Sequence, residues 1–153
     1  MIRIAVAADE VAVRECAEDA YAQYVAAIGK QPAPMVADFG SQITQGIVHV
    51  ADHAGGGIDG FIVFFPRNQH MFLENVAVST SASGRGVGRA LINYCETRAR
   101  EAGLTSVELY TNEKMTANLS MYPHLGYEIF ERRREDGFDR VYFRKRLLPS
   151  APP

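Results

Sequence analysis

The stretch "NVAVSTSASGRGVGRALINYCETRAREAG", residues 75–103, decides how the rest of the chain is read. It opens at the end of an apolar run and passes into small polar residues. Glycines then stand at every second position, Gly84, Gly86 and Gly88. From Val87 onward Ala90, Leu91, Tyr94, Cys95, Ala99 and Ala102 recur at helical spacing, and Gly103 closes the pattern. The stretch therefore reads as strand, glycine loop, helix. The first-turn amides of a helix have no intrahelical partners and lie at the positive end of its dipole. A phosphate placed there gains several hydrogen bonds. Glycines clear side chains from its approach and allow unusual backbone angles. Arg85 and Arg89 add positive charge to the same mouth. The loop reads as a pyrophosphate seat. A glycine-rich turn with no ligand is the competing reading, because short glycine patterns are common.

Two phosphate-binding patterns can be weighed against it. The Gly-Lys-Ser/Thr ending of a Walker loop is absent. A dinucleotide fingerprint needs the first strand of the fold to feed the loop, with an acid about 20 residues on. Glu108 lies near that distance, but three strand patterns precede the loop. Outward from it, "IRIAVA" (2–7) reads as a strand, and Asp9 as the N-cap of a helix whose apolar stripe runs Val13, Cys16, Ala17, Ala20, Tyr21, Tyr24 and Ile28, with Gly29 as its stop. A second helix is expected over 36–44. "GIVHVAD", "IDGFIVFF" and "MFLENVAV" read as strands, with Pro66 ending the second and Glu74–Asn75 interrupting the third. "SVELYT" is a strand and 116–125 a helix. "YEIFERRR" and "RVYFRKRL" form a hairpin about Asp136-Gly137. The order gives an α/β (α+β mixed) fold on one sheet. A single domain over 1–148 is expected, with 149–153 as a disordered tail.

The chain has 153 residues, 47% hydrophobic and 22% charged, an ordinary globular balance. A net charge of -2 gives no bulk attraction to nucleic acid or to a membrane surface. No apolar run approaches the ~18 residues of a membrane span, and no cleavable signal is visible. Two cysteines, Cys16 and Cys95, on separate helices suit a reducing compartment, so the expected location is cytoplasmic.

"VAVSTSASGRGVGRALI", "ELYTN" and "SMYPHLGYE", in that order, resemble the GNAT N-acetyltransferase superfamily, in the form of a bacterial-type single-domain member. Its pattern is a strand ending Val-x-Val, an Arg/Gln-x-x-Gly-x-Gly/Ala loop, a helix, a strand, and a helix carrying Tyr before Leu-Gly-Phe/Tyr. The likeness covers residues 46–147, and the first 45 residues are compatible with it. It implies a GNAT-like fold, a mixed, mostly antiparallel sheet of about seven strands with about four helices. It also implies acetyl-CoA as cosubstrate, without a metal. One departure stands out. Ser83 occupies the position where the family usually opens the loop with Arg or Gln, which implies weaker or re-routed phosphate binding, with Arg85 or Arg89 compensating.

By the same resemblance, backbone groups of Val76, Ala77 and Val78 pair with the pantetheine arm. An amide there can polarise the thioester carbonyl. Ser83, Gly84, Arg85, Gly86, Val87, Gly88 and Arg89 surround the pyrophosphate, and Asn118 hydrogen-bonds the arm or the phosphates. The reaction implied is direct attack by an amine, without an acyl-enzyme. An amine must lose a proton to attack, so a carboxylate or its water serves as base. Glu74 is the first candidate and Glu108 the second, with Tyr110 or Asn112 as helpers. Tyr122 stands where the family often places the acid for the departing thiolate, since a phenol is protonated at neutral pH. Each residue also has a plain reading: Val76–Val78 as core strand, Glu74 as a solvated residue, Tyr122 as core.

Cys16 and Cys95 lie on buried stripes and read as core rather than nucleophiles. His49, His53, His70 and His124 show no metal-ligand spacing. Tyr21, Tyr24 and Met35 either line the acceptor side or fill the core. The expected acceptor is a small-molecule primary amine. The alternatives are a protein amine, a longer acyl donor, or a non-catalytic acetyl-CoA sensor. Homodimerisation is carried only by the resemblance.

Overall fold

The computed structural model describes residues 1–148; the tail read at 149–153 lies outside the described residues. Seven strands hydrogen-bond in the order β1-β2-β3-β4-β5-β7-β6. They are β1 (Ile2–Ile4), β2 (Val48–Asp52), β3 (Ile58–Arg67), β4 (His70–Val78), β5 (Ser106–Asn112), β6 (Glu128–Glu135) and β7 (Phe138–Arg146). The pairs β1/β2, β2/β3, β5/β7 and β6/β7 are antiparallel, and β4/β5 is parallel, with Met71 opposite Val107 and Phe72 opposite Glu108. The helices are α1 (Glu10–Tyr21), its one-turn continuation α2 (Val25–Ile28), α3 (Phe39–Thr44), α4 (Val87–Glu101) and α5 (Thr116–His124). The expected mixed sheet of seven strands is present.

Three local readings shift. β1 stops at Ile4, and Asp9 takes up the Val6 amide at 2.7 Å and the Arg3 guanidinium at 2.8 and 3.0 Å instead of capping α1 with its side chain. The first helix is broken by a 3-10 turn over Ala22–Tyr24, beyond which the stripe is less deeply buried: Tyr24 and Ile28 are half-buried where Val13, Cys16, Ala17 and Tyr21 are buried. Pro66 lies inside β3 rather than after it, near the strand end, where a missing amide donor costs little.

The residues fall into two compact units, Met1–Phe64 with Glu74–Tyr94, and Phe65–Leu73 with the chain from Cys95 on. The first has Val13, Ala17, Phe39, Val48, Val50, Phe61, Ile62 and Leu91 at its core, and Phe39 meets the edge of Phe61 at 5.4 Å between ring centroids. Gly60 is required there. A Cβ on it would stand 2.6 Å from the Ala77 carbonyl oxygen and 3.2 Å from Leu91 Cδ1.

In the second unit the period of two along the strands is plain. Val107, Leu109, Val141 and Phe143 are buried, while their neighbours Glu108, Tyr110, Tyr142 and Arg144 are half-buried on the opposite face. The buried side also holds a charge: Glu96 of α4, 3% exposed, accepts from Tyr127 Oη at 2.9 Å and from Lys145 Nζ at 2.9 Å. Burial beside that carboxylate pushes the Tyr127 phenol up, so it stays a donor.

Candidate active site

In the first unit, the end of β4 is held by side chains from three directions. Glu74 is half-buried, and its Oε2 accepts from Gln42 Nε2 of α3 at 2.7 Å. Asn75 is buried; its amide donates to the Pro34 carbonyl at 2.9 Å, and its Oδ1 accepts from Tyr21 Oη at 2.8 Å. The same hydroxyl lies 3.0 Å from the Val76 carbonyl, so a single proton is shared between two acceptors. Ala77 presents its carbonyl to Cys16 Sγ at 3.9 Å. The Ser79 amide bonds the Asp59 carbonyl at 2.8 Å.

Beyond β4 the chain makes a 3-10 turn at Thr80–Ala82, fixed by Asp19 of α1, which accepts from Thr80 N at 2.7 Å and from Thr80 Oγ1 at 3.1 Å. Gly84 and Gly86 then adopt φ of +80° and +79°, a left-handed geometry that L side chains rarely take. A Cβ at either would meet nothing within 4 Å, so both face open ground. The first intrahelical bond of α4 runs from Ala90 N to Gly86 O at 3.0 Å. The amides of Val87, Gly88 and Arg89 precede it and have no intrahelical acceptor. Ser83 is exposed, and its side chain is short. Arg85 leans toward Asp59 at 3.6 Å, and Asp59 also meets His53 Nδ1 at 2.7 Å. Arg89 is exposed and has no ion-pair partner among the described residues.

In the second unit, Tyr122 of α5 is 3% exposed, with its ring 5.6 Å from Tyr127 and 5.4 Å from Phe143. Burial, with a lesser contribution from Cys95, pushes its phenol above the ordinary range, which keeps it a proton donor at neutral pH. Asn118 donates to Thr111 Oγ1 at 3.1 Å. Glu108 is already engaged, by His70 Nε2 at 2.7 Å and by Arg144 at 2.7 Å, so both of its oxygens have partners. Tyr110 is packed between Phe72 and Tyr142 under the Arg140 guanidinium. Asn112 Oδ1 accepts from Lys114 N at 2.9 Å and serves the turn after β5.

Both thiols are buried, and burial pushes both pKa values up, Cys95 more strongly, which disfavours the thiolate a nucleophile needs. No group of three or more His, Cys, Asp or Glu is arranged to hold a metal among the described residues. The candidates thus divide: Glu74, Val76, Ala77, Val78 and Ser83–Arg89 belong to the first unit, and Asn118 and Tyr122 to the second.

Sequence reading missed the residues that shape the loop end: Gln42, Asp19 and the Tyr21 hydroxyl. Tyr21 was expected as core or acceptor lining. It is buried, but its polar tip grips β4. Spacing carries no sign of bonds that span 54 or 61 residues.

The model of the Acetyltransferase (GNAT) family matches residues 13–127. PaiA N-acetyltransferase from Thermoplasma acidophilum, solved in complex with coenzyme A, superposes with a TM-score of 0.78 at 15% identity, over 96% of this chain and 98% of that one. YncA from Salmonella typhimurium, solved with acetyl-CoA, gives 0.73 at 19% identity, over 100% and 96%. Nourseothricin acetyltransferase gives 0.61 at 24% identity over 65% of this chain, which spans 64% of its length.

Proposed function

The chain belongs to the acetyltransferase (GNAT) family, and from that premise we propose that it moves an acetyl group from acetyl-CoA to the primary amine of a small molecule, by direct attack. The loop fits a coenzyme A diphosphate: two left-handed glycines face open ground, three helix-leading amides lack intrahelical acceptors, and Arg89 stands beside them uncommitted. The glycine turn is the observation that carries the reading. Acetyl-CoA supplies the activated acetyl thioester. Every other task falls to the chain.

Val87, Gly88 and Arg89 amides hold phosphate oxygens. Arg89, rather than Arg85, takes the place of the long side chain that Ser83 lacks, because Asp59 already draws Arg85. The backbone of Val76–Val78 lies along the arm, with its path fixed by Tyr21 and Asn75. Glu74 accepts the amine proton, directly or through water, with its carboxylate oriented by Gln42. Tyr122, kept protonated by burial, donates to the departing sulfur.

Calorimetry with coenzyme A, followed by thiol release from acetyl-CoA against a panel of amines, tests the proposal. Wild type should bind, and Gly86→Asp should not. Tyr122→Phe should turn over more slowly at unchanged affinity, and Glu74→Gln should lose the acid limb of the pH–rate profile. Tight binding with no amine-stimulated release would identify a sensor instead, and absence of binding would end the proposal.

A further inference from the structure

The strands of the second unit carry a feature that acyl transfer does not use. Five aromatic rings form a continuous strip across neighbouring strands: Phe65 of β3, Phe72 of β4, Tyr110 of β5, Tyr142 of β7 and Phe130 of β6, with centroids 5.4 to 5.9 Å apart. Guanidinium groups lie against it, Arg140 at 4.3 Å over Tyr110, Arg133 at 4.3 Å over Tyr142 and Arg144 at 4.1 Å over Phe130. Next to the rings, at the start of β4 and β5 and the end of β7, a pocket of about 410 Å³ is lined by His70, Ser106, Glu108, Arg144 and Arg146, among others. The register explains the lining. Glu108 stands opposite Arg144 and Ser106 opposite Arg146, and these four share one face of the sheet with the Tyr110–Tyr142 pair.

The charges in this pocket do not balance. Its one carboxylate, Glu108, is met by two partners: His70, and Arg144 through both Nε and Nη2 at 2.7 Å. Arg146 is exposed and has no ion pair among the described residues. Two arginines and one glutamate leave an excess positive charge in a concave, polar recess, and a recess of one sign concentrates the opposite ion. Glu108 and Phe130 hold Arg144 in place, so part of its ordering cost is met before any ligand arrives.

We propose that this pocket binds an anion, with its carboxylate or phosphate group against Arg144, Arg146 and the Ser106 hydroxyl. The site shares no residue with the glycine loop or with Glu74 and Tyr122, so it stands whether or not acetyl transfer is the activity.

The test follows Arg Nε–H resonances by NMR at fixed ionic strength, with inorganic phosphate, phenyl phosphate, benzoate and benzylamine as probes. Phenyl phosphate or benzoate should shift the Arg144 and Arg146 signals saturably, and whichever binds tighter identifies the headgroup. Binding should weaken at least tenfold in Arg146→Gln, an exposed position whose fold circular dichroism can verify, and stay within twofold in Arg89→Gln. No saturable shift with any anion, an unaffected Arg146→Gln variant, or equal response to benzylamine would overturn the proposal.

Discussion

In the loop-bearing unit, several polar side chains reach for backbone, beside side-chain pairs such as Arg3 with Asp9 and Gln42 with Glu74. Asp19 holds the Thr80 amide, Tyr21 the Val76 carbonyl, Asn75 the Pro34 carbonyl and Asp38 the Ser41 amide. In the other unit they reach for one another: Glu96 with Tyr127 and Lys145, Glu108 with His70 and Arg144, Glu135 with Tyr142 and Arg140. The first habit fixes the path of the main chain, which suits a ligand gripped by backbone. The second fixes side chains on a sheet face, which suits recognition by shape and charge. Loss of these backbone-holding side chains should therefore cost ligand affinity ahead of stability, and loss of the side-chain pairs in the second unit the reverse.

The largest effect expected is at Glu96. Glu96→Ala strips the Tyr127 hydroxyl and Lys145 of their shared acceptor inside the core, and losing one partner of a buried pair costs about 3–5 kcal/mol. Urea unfolding measures it, and a loss below about 1 kcal/mol would break the contrast drawn above. Gly60→Ala comes next. Its methyl group would press on the Ala77 carbonyl, and overpacking of this kind costs about 1–3 kcal/mol.

Asp19→Ala is smaller in stability, about 1 kcal/mol, yet it frees the turn that leads into the glycines. Coenzyme A affinity measured by calorimetry should fall several-fold while the unfolding midpoint barely moves. A proportionate loss of both would erase the distinction. The smallest effect is a pH term at Asp9. The Arg3 guanidinium, hydrogen-bonded to its carboxylate, holds that carboxyl below the usual carboxylate range. A depressed carboxylate stabilises above its unfolded pKa, and that contribution fades as pH falls through the folded value. Asp9→Asn should thus differ from wild type by up to about 1 kcal/mol near neutrality and converge with it in acid.

The sequence was most legible where the signal is local. Gly84 and Gly86 announce a left-handed turn, and Asp136-Gly137 a hairpin, and both take positive φ. Leu91, Cys95 and Ala99 of the α4 stripe are buried as their spacing predicts, but Ile92 and Glu96 are buried beside them and Ala90 is exposed. A glutamate on a helix reads as solvated until its partners, 31 and 49 residues away, are known. The same distance effect hid Gln42 behind Glu74. The order of Glu74, the glycines and Tyr122 was legible because family resemblance acts on order, whereas the pairing of Glu108 with His70 and Arg144 needed the strand register.

The two left-handed glycines carry a stereochemical consequence. At φ near +80° with clear space alongside, an L-alanine at Gly84 or Gly86 would be opposed by backbone torsion and by no neighbour. A mirror-image alanine, introduced by chemical synthesis, prefers that torsion and would stiffen the bend. What this corner of the chain discriminates is handedness, ahead of bulk.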